Sequence, residues 1–177
     1  MTPYGDSKHE VDLWAIEQAK KCEAPPAWAG LKFFNVYGST EGSKGKMASM
    51  VFQIMRQIES TSKVRLFKYG EQERDWVYVE DVCNVICHML GYPCYGIYNV
   101  GSGTARSFND VASIAFEKLG KPARIEYFEM PSRLTSAYQG YSKAELHKLR
   151  LTGFAKQMRS LEDGIGAIAK EWLESAD

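Results

Sequence analysis

Apolar positions along the chain switch repeatedly between helical and strand spacing. Pro3 opens a first helix running to about Lys21, with Thr2 available as its N-cap, and the Pro25-Pro26 pair ends that stretch. Trp28 to Asn35 is then a mostly apolar run that reads as a strand, followed by a glycine-rich loop over 38–45. A helix is expected from about Met47 to Ile58, a strand at Val64 to Phe67, a turn at Gly70 and a strand from Trp76 to Val79. Val82, Val85, Ile86, Met89 and Leu90 recur at helical spacing, which predicts a helix burying that stripe, and Ile97 to Val100 reads as another strand.

The second half repeats a local device. Ser107-x-x-Asp110, Ser142-x-x-Glu145 and Ser160-x-x-Asp163 each have the form of a capping box, in which a hydroxyl and a carboxylate serve the free N–H groups of a first helical turn. Three helix starts are expected there. Phe108, Val111, Ala112, Ala115, Phe116 and Leu119 would bury one face, as would Leu161, Ile165, Ile168, Trp172 and Leu173, with a strand at Ile125 to Phe128 between the two helices. Helices alternating with short apolar strands predict an α/β fold. No internal repeat, low-complexity tract or charged linker marks a domain boundary.

Composition narrows the classes. With 45% hydrophobic residues in 177, the chain can bury a sizeable core. Lys plus Arg equals Asp plus Glu at 22 each, so no broad basic surface is available for nucleic acid and any anion must be bound locally. No run approaches a membrane span and no signal pattern opens the chain, which reads as cytoplasmic. Cys83 and Cys87 are a helical turn apart beside His88, yet no C-x-x-C pair occurs. Reduced, partly buried thiols are expected for Cys22, Cys83, Cys87 and Cys94 rather than a metal site.

The candidate chemistry begins at Tyr4 and Lys8, which the Tyr-x-x-x-Lys spacing puts on one helix face. An ammonium beside a phenol favours phenolate, the form that exchanges a proton with a sugar hydroxyl. Asn35 ends an apolar strand, where ligands of open α/β folds bind, and its amide both donates and accepts. Arg74 offers a planar fork suited to phosphate, although Glu73 and Asp75 stand ready to pair with it. Lys44 lies among glycines and short polar residues, in what is either a mobile active-site loop or a solvated turn. Neither glycine cluster makes a dinucleotide fingerprint. Gly38, Gly42 and Gly45 have the wrong spacing, and Arg106 occupies the third glycine position after Gly101-Ser-Gly103, leaving a tight strand-to-helix turn.

The ordered strings YGDSK, FNVYG, EGSKGKMAS, RDWVYVEDV and YQGYSKAEL make the chain resemble the C-terminal part of the extended short-chain dehydrogenase/reductases acting on sugar nucleotides. EGSKGKMAS and YQGYSKAEL are similar to the ADP-heptose 6-epimerases of that family in particular. The resemblance implies a partial Rossmann fold with a smaller α/β substrate domain. Residues 1–35 would be Rossmann elements, with roughly 76–102 and 140–154 returning to them, and 36–75, 103–139 and 155–177 would bind substrate. It further implies Tyr4 and Lys44 as the acid/base pair, Lys8, Val36 and Lys44 as contacts to NADP (or NAD), and Asn35, Lys46, Gln53, Phe67, Arg74 and Tyr138 as contacts to ADP-heptose. A homo-oligomer is implied for the full-length enzyme.

Two positions depart from the family pattern. Lys46 and Gln53 stand where some relatives have a small hydroxyl residue and a histidine, and Lys46 puts a second ammonium beside Lys44, either to repel its charge or to bind substrate phosphate. The chain opens almost at the family's catalytic tyrosine, so the dinucleotide-binding half is expected elsewhere and the chain alone is expected to be inactive. Other extended dehydrogenases, such as a UDP-hexose 4-epimerase or dehydratase, and a non-catalytic sugar-nucleotide-binding remnant are the competing expectations.

Overall fold

A computed structural model describes residues 3–129 and 139–174. Helix α1 (Pro3–Lys20) leads to strand β1 (Trp28–Phe33), and a break at Phe34 separates it from β2 (Asn35–Tyr37). The single strand expected over 28–35 is therefore two, because the chain changes partners there. β1 pairs in parallel with β5 (Tyr95–Val100), whereas β2 pairs in parallel with β4 (Glu73–Tyr78). β4 also takes β6 (Ala105–Ser107) antiparallel, and β3 (Val64–Phe67) runs parallel to β7 (Ile125–Phe128). β6 went unpredicted because a three-residue strand carries too little alternation to be seen.

The helix expected from Met47 begins later. Residues Gly42–Met47 form 3-10 turns broken at Gly45, Ala48 is extended, and α2 (Met50–Thr61) starts after Ser49, whose hydroxyl accepts from the Phe52 amide. Helix α3 (Val79–Gly91) buries Val82 and Val85 but leaves Ile86 and Leu90 exposed, so only part of the expected stripe is core. Ile86 and Leu90 instead line an open apolar groove of about 570 Å³ with Trp28, Leu31 and Tyr92. Cys83 and Cys87, on the same helix, are exposed rather than partly buried, as is Cys22; Cys94 is buried.

The Ser107 box forms in full, and the Ser160 box forms through its hydroxyl. Ser107 and Asp110 exchange both bonds at the start of α4 (Phe108–Lys118), and Ser160 caps the final helix, α6 (Leu161–Glu174), through Asp163. The Ser142 box does not form. Gly140 and Ser142 hydrogen-bond either side of Glu73, so this segment runs as an extra bridge on β4, and the short α5 (His147–Arg150) starts five residues later with Glu145 accepting from the His147 amide.

Two apolar clusters result. The larger joins Tyr37, Trp76 and Tyr78 to the inner faces of α2, α4 and α6, and the smaller joins Val77, Val82, Val85, Val100, Leu149, Phe154 and Met158. Helix α1 contributes no buried residue; Val11, Leu13 and Trp14 stand exposed, and an ion pair between Asp12 and Lys32 ties the helix to β1.

Tyr37 shows how tightly the larger cluster closes. Its hydroxyl is buried without a partner, and a Cβ added at Gly164 of α6 would stand 2.0 Å from it. Burial, and then the neighbouring Asp81 carboxylate, push the Tyr37 phenol above its usual range. Stability from this group is complete below the unfolded value near pH ~10 and is lost as the pH rises further, because the unfolded chain ionises first. Tyr37→Phe removes an unpaired buried polar group, so chemical denaturation should show a gain of about 1 kcal/mol at neutral pH and a shallower loss above pH ~10.

Candidate active site

The parallel strands β1 and β5 end together at Phe33 and Val100. Asn35 sits just past β1, and its amide donates to the Asp75 carbonyl at 3.2 Å. Asp75 is fully buried in β4, and its carboxylate accepts from Ser102 N (2.6 Å), Ser102 Oγ (2.8 Å), Gly103 N (2.9 Å) and Ala144 N (3.0 Å). One side chain thus fastens the turn after β5 and the segment before α5 to the strand that carries Arg74. It also fills the amide nest of the Gly101-Ser-Gly103 turn with the chain's own carboxylate, leaving no place there for a pyrophosphate.

Of the two acids that could have paired with Arg74, Asp75 spends its carboxylate on those four bonds. Arg74 instead donates to the backbone carbonyls of Glu73 (2.8 Å) and Gln139, with its guanidinium 6.0 Å from the Phe108 ring centre. Arg106, the residue that spoils the second fingerprint, pairs with Asp110 (3.3 Å) and Glu162 (2.9 Å).

Lys44, Lys46 and Gln53 share one structure, the loop from Gly38 to Ser49 and the first turns of α2. Its hub is Glu41, 5% exposed, which accepts from Gly38 N, Ser49 N and Ser49 Oγ, with Lys44 Nζ at 3.4 Å. Gln53 spends its amide on the loop, donating to Ala48 O (2.7 Å) and Lys46 O (3.3 Å). Gly45 holds the apex at φ +55°, ψ −121°, a conformation only glycine adopts freely, and so separates the two lysines.

Tyr4 and Lys8 share a face of α1 as the spacing predicts, with Lys8 Nζ 5.4 Å from the ring centre and Tyr4 74% exposed. Val36 packs against the smaller apolar cluster. Phe67 closes β3 edge-to-face on Phe128 at 5.6 Å, beside an exposed Tyr69–Tyr127 pair. Tyr138 lies outside the described residues. Asp75 and Glu41 went unrecognised in the sequence as organising groups. The available signal was an acid placed inside an apolar strand or among small residues, where burial demands donors.

Residues 1–101 match the family model described as the NAD dependent epimerase/dehydratase family. The chain belongs to that family. It is 40% identical over 191 aligned residues to the ADP-L-glycero-D-manno-heptose-6-epimerase of Fusobacterium nucleatum subsp. nucleatum, covering 100% of this chain and 57% of that protein. It is 37% identical to the protein of that name from Nitratidesulfovibrio vulgaris, over 98% of this chain and 55% of the relative. Among solved structures, the Helicobacter pylori ADP-L-glycero-D-manno-heptose-6-epimerase superimposes with a TM-score of 0.80 at 32% identity, covering 97% of this chain and 50% of that one. The UDP-glucose 4-epimerase of Thermotoga maritima does so with a TM-score of 0.85 at 21% identity, over 100% and 55%, which shows the shared fold alone. The chain spans about half the length of the curated relatives it matches.

Among the described residues, no group of three or more His, Cys, Asp and Glu side chains is placed to hold a metal ion, and no helix is long and apolar enough to cross a membrane.

Proposed function

We propose that this chain supplies the substrate-binding and acid/base portion of an ADP-heptose 6-epimerase. The observation that carries the reading is the 40% identity to a protein of that name along the whole chain, which includes the Gly38–Ser49 loop. The described residues offer Lys8 and Val36 toward the ribose and nicotinamide of NADP or NAD, but no free amide turn for its pyrophosphate, since Asp75 fills the one after β5. A dinucleotide-binding portion that extends the parallel sheet along β1 would supply that turn. It would also account for the bare apolar residues of α1, because parallel sheets are covered on both faces.

In this reading Lys8 and Val36 would hold the nicotinamide, which would supply reversible hydride transfer at C6 of the heptose by way of a planar ketone. Tyr4 and Lys44 stand on opposite sides of C6. One removes the hydroxyl proton as the ketone forms, and the other delivers a proton to the oxygen as the inverted alcohol is made. Asn35 orients the sugar, Arg74 and Phe67 hold the nucleotide diphosphate portion, and Tyr138 and Lys46 complete the substrate contacts. Residues 1–35, 76–102 and 140–154 serve the dinucleotide side, and the remainder serves the substrate side. The enzyme so assembled is cytoplasmic and homo-oligomeric.

The test offers ADP-D-glycero-D-manno-heptose and UDP-galactose side by side to the chain combined with a dinucleotide-binding portion. Conversion of the heptose to its L-glycero epimer is expected. Turnover of UDP-galactose alone would reject this substrate class.

A further inference from the structure

The Glu41 side chain touches both ends of the Gly38–Ser49 loop and Lys44 within it. Oε1 accepts from Gly38 N (3.1 Å) and Ser49 Oγ (2.6 Å), and Oε2 accepts from Ser49 N (2.7 Å) with Lys44 Nζ 3.4 Å away. The two lysines of the loop therefore differ. Lys44 reaches back to the hub, whereas Lys46 is exposed beyond Gly45, where nothing approaches within 4 Å of an added Cβ. The carboxylate is buried, with a side chain 6% exposed, while that of Lys44 is 57% exposed.

A pair open to solvent on one side is weak and readily exchanged for another partner. The bonds of Glu41 to Ser49 are short and charge-assisted, and with the one to Gly38 they hold the loop whether or not the lysine is engaged.

We propose that Glu41 is a positioning residue that closes the loop with its buried carboxylate and tethers the Lys44 ammonium at the loop mouth, from which the substrate hydroxyl draws it away. This rests on the reading of Lys44 as a proton-handling group. A plain loop staple would support Lys44 and Lys46 equally, whereas the tether acts on Lys44 alone.

Two measurements separate these. In the chain itself, mild acylation mapped by mass spectrometry reads the amines of Lys44 and Lys46. Glu41→Gln should raise labelling of Lys44 relative to Lys46 about two- to fivefold, the scale of an exposed ion pair. An unchanged ratio overturns the tether, and if Glu41→Gln does not fold, Glu41→Asp, one methylene too short to reach every partner, carries the same comparison.

In the active combination with a dinucleotide-binding portion, Glu41→Gln should lower kcat about 10-fold with little change in KM, as a misplaced catalytic group does. In a Lys44→Met background the same change should cost nothing further. An equal loss in both backgrounds would make Glu41 a staple only. Near-normal turnover by Lys44→Met itself would instead sink the acid/base reading of Lys44, while leaving the labelling result to decide the tether.

Discussion

Asp75→Ala should destabilise the chain by about 3–5 kcal/mol, a large share of the ~5–15 kcal/mol typical of a folded domain. The carboxylate is fully buried and is the acceptor for the amides of Ser102, Gly103 and Ala144 and the hydroxyl of Ser102. Removing it strands the three amides, while the Ser102 hydroxyl keeps the Thr104 carbonyl, and each buried donor left unpaired costs about 1–3 kcal/mol before water or relaxation recovers part of the loss. The space is also tight, since a Cβ on Gly101 would already stand 2.5 Å from Ala144 Cβ. Asp75→Asn keeps one acceptor oxygen but turns an NH2 toward two N–H groups, so it should fall between Ala and the parent. Urea denaturation followed by tryptophan fluorescence measures both. A loss under about 1 kcal/mol for Asp75→Ala would show that water replaces the carboxylate freely.

The second large effect is on rate. With the chain in its active combination, Tyr4→Phe and Lys44→Met should each slow epimerisation at least about 100-fold, the lower range for loss of a general acid/base group. Substrate binding should survive both, because neither side chain is assigned a ground-state role in holding the nucleotide. Progress curves at saturating ADP-heptose measure the effect directly. Near-normal turnover by Lys44→Met with its fold intact would leave Tyr4 to serve both faces of the ketone.

How much of this was legible in the sequence follows from the range of the interactions involved. Local signals read well. The box at Ser107, the hydroxyl cap at Ser160, the β3 and β7 strands and the buried face of α4 follow from spacing within one or two helical turns, as do Leu161, Ile165 and Ile168 of α6, although Leu173, expected on that same face, is exposed. Signals that depend on distant chain misled. Ser142 has the capping pattern, but its backbone is claimed by Glu73, nearly seventy positions earlier in the chain. Ile86 and Leu90 have helical spacing with Val82, yet the surface that covers Val82 does not extend to them.

The site shows the same division. Tyr4 and Lys8 needed only their spacing, whereas the task of Asp75 is set by a turn and a segment that meet it only in the folded chain. Sequence proximity offered Glu73 and Asp75 as alternative partners for Arg74 beside a phosphate, but adjacent residues in a strand point to opposite faces. Glu41 is local, and its role escaped notice because a glutamate among glycines reads as solvated until its burial is known.

The central claim, inversion at C6 through transient oxidation, is tested most directly by running the epimerisation in deuterium oxide and examining C6 of the product by NMR. If hydride leaves C6 and returns from the same nicotinamide while Tyr4 and Lys44 handle only the hydroxyl proton, the product keeps its original hydrogen at C6 and carries no deuterium there. Deuterium at C6 would mean that the carbon itself had been deprotonated and reprotonated from solvent, and would contradict the account.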